Sequence, residues 1–230
     1  CVVRAMRLGR IARAKREAMA ATIHPAMHAM GDRAALEAAF DRTMTNVWSA
    51  FQPIVRADGT SFGYEALLRS KEPALPHPGA VLDAAEKLGR IHSLGRRMRA
   101  LAALPVAADA STGTLFVNLH PLDLFDEELT NDDSPLRAIA DRVVLEVTER
   151  AAIESMERLR IRTAEIRACG FRLAIDDLGA GYAGLSAFAA LEPEVVKLDM
   201  SLIRDIDTTP TKRKVVESMS RLCRDLGMQV

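Results

Sequence analysis

Cysteine is scarce in this chain. The three residues, Cys1, Cys169 and Cys223, lie far apart and are odd in number. That excludes a disulfide framework and fits a reducing compartment. Net charge is absent as well, with 31 Lys and Arg against 31 Asp and Glu, so no global field argues for DNA or a membrane surface as partner. No apolar run is long enough to span a bilayer, and no signal-peptide core follows the N-terminal arginines. Repeats with a period of roughly 20–50 residues are missing too. Zinc chemistry lacks its residues: His24 and His28 stand four apart, but Pro25 interrupts any helix between them and no carboxylate is near. The expectation is a soluble, cytoplasmic protein with no membrane segment in this piece.

What is present begins with a helical lead-in. The 230 residues suffice for one sizeable core, or one domain with an appendage. Residues 1–45 are rich in Ala, Arg and Met, and Arg4, Arg7, Arg10 and Arg13 recur every third residue. That pattern suits a solvated linking helix. A basic arm for nucleic acid would need interleaved aromatics, which are lacking. Gly31-Asp32 marks a helix start for Arg33–Thr45. The chain opens with Cys1 and ends in what reads as a helix exit and a strand barely begun at Gln229-Val230. Both ends lead us to expect a piece of a longer polypeptide, with residues 46–230 as its folded domain.

From Val47 the texture changes to alternating strands and helices. Strands are expected at Val47–Val55, Phe62–Leu68, Thr114–Leu119, Arg142–Val147, Arg172–Asp176 and Val195–Leu198. Helices are expected at Ala80–Leu88, Ser93–Leu104, Ser155–Cys169 (closed by Gly170) and Thr211–Leu226 (closed by Gly227). Repeated β-then-α units imply a parallel sheet.

Polar residues interrupt these strands at equivalent places. Glu65, Asn118, Glu146, Asp176 and Lys197 each fall at or near a strand's C-terminal end, sharing a face with Gly63, Phe116, Val144, Ala174 and Val195 respectively. In an α/β barrel such positions converge on the top rim, where active sites are built. The stretch Arg172–Gly184, RLAIDDLGAGYAG, adds Asp177 in a Gly-rich loop. Two adjacent carboxylates repel unless a proton or cation sits between them, although a solvated Asp-Asp turn would also read this way. The oxygen-only donor set suits Mg²⁺ or Mn²⁺. A pair of such ions can clamp both oxygens of a phosphodiester displacement. Lys197 would hold the attacking water, neutralise transition-state charge or bridge the neighbouring acids. Asp199 is expected to support that set from behind.

These residues lie in a recognisable series: FQPIV at Phe51–Val55, YEALLR at Tyr64–Arg69, FVNL at Phe116–Leu119, LEVTE at Leu145–Glu149, AIDDLGAGYAGL at Ala174–Leu185 and VKLD at Val196–Asp199. In that order they resemble an EAL-domain cyclic di-GMP phosphodiesterase, from about Val47 onward. The resemblance implies a TIM-type (β/α)8 barrel whose first strand is antiparallel, a bacterial signalling role, and opening of one phosphodiester of cyclic di-GMP to the linear dinucleotide. It implies two Mg²⁺ or Mn²⁺ ions, with Glu65, Asn118, Glu146 and Asp176 as ligands and Asp177 serving the second ion. Glu65, Asp176 and Lys197 would be catalytic, Lys197 through the attacking water. Arg69 would contact a substrate phosphate, Gln52 would touch substrate, and Glu149 would steady the loop after the fifth strand. A homodimer and an upstream sensory or receiver domain belong to the same picture.

Two departures qualify it. Where the family loop reads DDFGTGYSSL, this chain has Leu178, Ala180, Ala183 and Gly184 in place of the Phe, Thr and two Ser, so hydroxyls that would partner Glu149 are gone. The chain also stops a few residues before the family's AEGVE-like glutamate. The barrel is therefore expected to be incomplete, its last strands missing, and this piece alone to turn over little substrate. The alternative is an EAL-like receptor, or a protein-interaction module, that no longer cleaves the nucleotide.

Overall fold

Residue by residue, the arrangement follows from period-two alternation on the strands and small or apolar faces on the helices between them. The computed structural model describes residues 31–148, 156–179 and 184–230. Residues 31–46 form helix α1. Strands β1 (Trp48–Val55) and β2 (Ser61–Arg69) follow, then helices α2 (Pro78–Leu88) and α3 (Ile91–Ala108). Next come β3 (Thr114–Leu119), β4 (Val143–Thr148), α4 (Met156–Ala168), β5 (Arg172–Leu178), α5 (Gly184–Leu191), β6 (Val195–Leu198), α6 (Met200–Ile203) and α7 (Pro210–Asp225).

The six strands form one sheet in chain order, with β1 antiparallel to β2 and each later pair parallel. Gln229 adds a parallel bridge to Val195, where the sequence places the start of a seventh strand. This is an arc of a TIM-type barrel with a reversed first strand, and among the described residues it does not close on itself.

Alternation divides the strand residues between two cores. Leu115, Val117, Leu145, Val147, Leu173, Ile175 and Val196 face outward against Ala102, Val106, Leu159, Ile166 and Leu191 of the helices. Phe116, Val144, Ala174 and Val195 face inward, with Ile54 and Phe62 packed on them. Gly63 is dictated by close approach, since a Cβ there would lie 2.0 Å from the Thr114 carbonyl oxygen across the β2–β3 pair. The sheet's parallel strands therefore put one row of alternate side chains inside the arc, and that row carries the polar interruptions.

Helix ends follow local chemistry. His77 Nδ1 accepts from the Ala80 N–H at the start of α2, and Pro78 occupies its first turn. Gly170 and Gly227 adopt φ of 97° and 76° after α4 and α7, as their sequence positions imply. Four elements differ from expectation. Helix α3 runs on to Ala108 with Pro105 inside it. Helices α5 and α6 arise where no helix is signalled by the sequence, α5 from the small and apolar run GLSAFAAL and α6 as one turn capped by Asp199. Strand β5 continues past Asp176 to Leu178, so Asp177 belongs to the strand's end rather than to a loop.

The 1–45 lead-in is described only from residue 31. Its C-terminal part packs into the domain: Ala39 and Phe40 are buried in one cluster with Leu75, Val81, Ala85 and Leu94. The arginine-rich stretch and His24/His28 lie outside the described residues, as do Glu149, Ala180 and Ala183.

Candidate metal centre

Five consecutive strands each deliver one polar side chain to the inner rim: Glu65 from β2, Asn118 from β3, Glu146 from β4, Asp176 from β5 and Lys197 from β6. Register explains the convergence. Asn118 lies level with Glu146, and Glu146 with Ala174. One inward step further, Asp176 and Lys197 follow Ala174 and Val195, which are themselves paired.

The side chains meet around the lysine. Lys197 Nζ lies 2.8 Å from Glu146 Oε1, 3.0 Å from Glu65 Oε2 and 3.1 Å from Asp176 Oδ1. Asn118 Nδ2 donates to Glu65 Oε1 at 2.9 Å. Oxygen atoms of Glu65, Glu146 and Asp176 all fall within 4.8 Å of one another.

Asp177 lies outside that 4.8 Å group, but a bulge brings it near enough to feel the charges of Asp176 and Glu65. Leu173, Ile175 and Leu178 all pack in the outer core, a spacing of two and then three residues. The pairing of β5 with β6 shifts between Ile175 and Leu178, and Asp177 takes φ of 55°. One extra residue in the strand thus frees Asp177 from the outer face and sets it beside Asp176, an arrangement bulges often produce next to active sites. Strand alternation alone would have sent its carboxylate outward.

Electrostatics mark this as a place short of positive charge. Glu146 is 1% exposed. Burial first, and then the nearby Glu65 and Asp176, raise its pKa to about 8 even against the pull of Lys197. Asp177 is also raised, by burial and by the charges of Asp176 and Asp199. Burial works against the Lys197 ammonium, yet Glu146, Asp176 and Glu65 outweigh it and hold the amine above its ordinary pKa. Glu146 Oε1 meets only the Lys197 ammonium and Oε2 has no hydrogen-bond partner, although buried polar atoms nearly always have one. An orphaned buried oxygen within an all-oxygen donor set is what a hard divalent cation would satisfy. Glu65, Asn118, Glu146, Asp176 and Asp177 therefore fit Mg²⁺ or Mn²⁺.

The remaining sequence-derived residues distribute around this centre. Gln52 stands directly opposite Glu65 in the antiparallel β1–β2 pair, so both share the inner face. Arg69 closes β2 on that face, its Nη1 donating to the Leu68 carbonyl at 2.8 Å. Asp199 does not reach into the cluster. Its carboxylate accepts from the Ser201 N–H at 2.8 Å, while its own N–H donates to the Leu178 carbonyl at 3.1 Å. It thereby ties α6 to the end of β5. One residue absent from the motif set, Trp48, also stands on the inner face, opposite Arg69. Counting back by twos from Gln52 is the signal that points to it.

A second acidic group behind β3 has a different character. His92, Asp123 and Asp126 lie together, but Arg96 Nη2 and Arg99 Nη2 already hold Asp126 at 2.7 and 2.5 Å. His92 Nδ1 sits 2.9 Å from Asp123 Oδ1. Its charge is matched from within, and it works as a clamp fixing the segment after Asn118 to α3.

Comparison with known proteins identifies the family and the fold. The family model for the EAL domain matches residues 33–230. The chain is 31% identical over 192 residues to a protein of Escherichia coli (strain K12) named probable cyclic di-GMP phosphodiesterase PdeG, covering 78% of this chain and 38% of that protein. Among solved structures it is similar to Klebsiella pneumoniae BlrP1 in a calcium/cyclic di-GMP complex. That match has 34% identity and a TM-score of 0.69, over 80% of this chain and 48% of that one. It is also similar to a standalone EAL protein from Vibrio cholerae O395 in its c-di-GMP-bound form. There the identity is 26% and the TM-score 0.65, over 80% of this chain and 79% of that one. The chain spans less than half the length of the first curated relatives it matches.

Proposed function

The chain belongs to the EAL domain family, and on that premise we propose that it carries the site of a cyclic di-GMP phosphodiesterase. The reaction is addition of water to one phosphorus of the cyclic dinucleotide and departure of one ribose oxygen, which takes up a proton, leaving the linear dinucleotide. Two Mg²⁺ or Mn²⁺ ions held by Glu65, Asn118, Glu146, Asp176 and Asp177 would supply Lewis acidity at the phosphoryl oxygens. Lys197, held by three carboxylates at 2.8–3.1 Å, orients the attacking water and offsets charge that develops at phosphorus. Arg69 and Gln52 bind the substrate from the β1–β2 side, Arg69 through a phosphate. Asp199 positions the end of β5 and so the Asp176–Asp177 pair. Glu149 would steady the loop that follows, without the hydroxyl partners that Ala180 and Ala183 replace.

The observation that carries this reading is Glu146, a fully enclosed carboxylate that meets the Lys197 ammonium through Oε1, has no hydrogen-bond partner at Oε2, and lies with two further acids. Cytoplasmic placement, a sensory or receiver domain joined through the helical lead-in, and a homodimer complete the proposal. Among the described residues no helix is long and apolar enough to cross a membrane, and Cys169 and Cys223 are free thiols.

Chromatography of cyclic di-GMP incubated with the full-length protein tests it. The linear dinucleotide should form with Mn²⁺ or Mg²⁺ and stop on chelation. Tight binding with no cleavage in either metal would replace the enzyme with a receptor, and no binding at all would remove both readings.

A further inference from the structure

Trp48 is the chain's single tryptophan, and it is 43% exposed although indole is among the side chains that gain most from burial. Its location is specific. Strand β1 runs antiparallel to β2, so the first residue of β1 lies at the rim where β2 and the parallel strands end. Trp48, Ala50, Gln52 and Ile54 pair with Arg69, Leu67, Glu65 and Gly63. Ile54 packs on Phe116 and Val144 inside the arc, and alternation therefore carries Trp48 and Arg69 to the same inner face. A directly opposed pair has its Cβ atoms about 5 Å apart.

This pair stands four positions from Gln52 and Glu65, about 13 Å along the strands. Long side chains set at that remove from the metal centre stand where the base of a nucleotide whose phosphate sits at the centre would lie. Aromatic rings are the usual platform for an unpaired base, and an arginine beside the ring adds charge toward a phosphate or a base carbonyl. We propose that Trp48 is a substrate-binding residue, its indole stacking on one purine base of the bound cyclic dinucleotide beside Arg69. The inference rests on the proposed function and extends it to base recognition. Stacking tolerates any base, so Trp48 sets affinity for a purine-bearing ligand and leaves the choice of guanine to hydrogen-bonding groups elsewhere.

With one tryptophan in the chain, indole emission reports this contact without ambiguity. The full chain is titrated with cyclic di-GMP in Ca²⁺, by calorimetry and by emission excited at the indole edge. The expected result is a change in emission that saturates at the same ligand concentration as the heat. Trp48→Ala should weaken binding by roughly tenfold, within the five- to hundredfold range of base–aromatic stacking, and Trp48→Phe should recover most of that. In turnover with Mn²⁺, the alanine variant should raise KM far more than it lowers kcat, a split that a general folding defect would not give. Calorimetric binding with unchanged emission would overturn the stacking role and leave the proposed function intact. So would an alanine variant that keeps its fold by circular dichroism and its full affinity. Absence of any calorimetric binding would overturn both together.

Discussion

Lys197 of β6 places its ammonium 2.8 Å from a carboxylate oxygen of Glu146 on β4, across the strand that carries Asp176. Glu146 is enclosed and Lys197 is partly open to solvent, so the pair is asymmetric. The lysine can be approached, whereas the acid can be satisfied only from the rim.

Removing the ammonium should expose that dependence. Lys197→Met leaves Glu146, Glu65 and Asp176 facing one another without a counter-charge. Metal-free stability should fall by about 2–3 kcal/mol, below the value for a fully buried pair because Lys197 is partly exposed. Urea unfolding in chelator measures this. Hydrolysis should fall about a hundredfold or more for loss of a charge aimed at the transition state, and Mn²⁺ should restore stability but not rate.

The raised pKa of Glu146 gives a pH dependence of known sign. Its folded value is about 8 against an ordinary 4.5, so between those values the folded chain retains a proton that the unfolded chain has lost. Stability without metal should therefore decline as pH rises from about 4.5 to about 8 and level off above. Glu146→Gln removes the titrating group and should flatten that region of the profile. Thermal unfolding across the range, in chelator, compares the two chains.

Gly63 sets the spacing on which Glu65 depends. An alanine Cβ would meet the Thr114 carbonyl at 2.0 Å, so β2 and β3 would be forced apart just ahead of the point where Glu65 reaches Asn118. Gly63→Ala should cost roughly 1–3 kcal/mol, as overpacking does, and also weaken Mn²⁺ binding. Denaturation and metal titration of the same sample measure both.

Behind the rim, Asp126 should matter for stability more than for chemistry. Burial opposes its charge, but Arg96 and Arg99, with the Glu128 N–H, bring its pKa down to about 2. Asp126→Ala leaves Arg99, only 3% exposed, with Asp123 as its remaining acidic partner at 3.3 Å. The loss should be about 3 kcal/mol, read from the urea midpoint at neutral pH.

The centre is legible in the sequence because its residues violate an apolar pattern in a regular way. An acid in VVLEV or an amide in FVNL stands out against its neighbours, and period-two alternation assigns each a face. Asp177 is harder to place. Its approach to Asp176 depends on a bulge and a left-handed residue, and neither shifts the composition of the strand. Helix α5 is hidden for a related reason: GLSAFAAL is apolar on every side, so a 3.6-residue period has nothing to contrast against. The clamp at Asp126 leaves no local signal because Arg96 and Arg99 are 27 to 30 residues away in sequence, and only the folded chain brings them together.

Calorimetric titration of the metal-free chain with Mn²⁺ tests the central claim most directly. Two ions should bind to the wild-type chain, with at least one lost in Glu146→Gln and in Asp176→Asn. Failure to bind Mn²⁺, or binding that neither substitution alters, would contradict it.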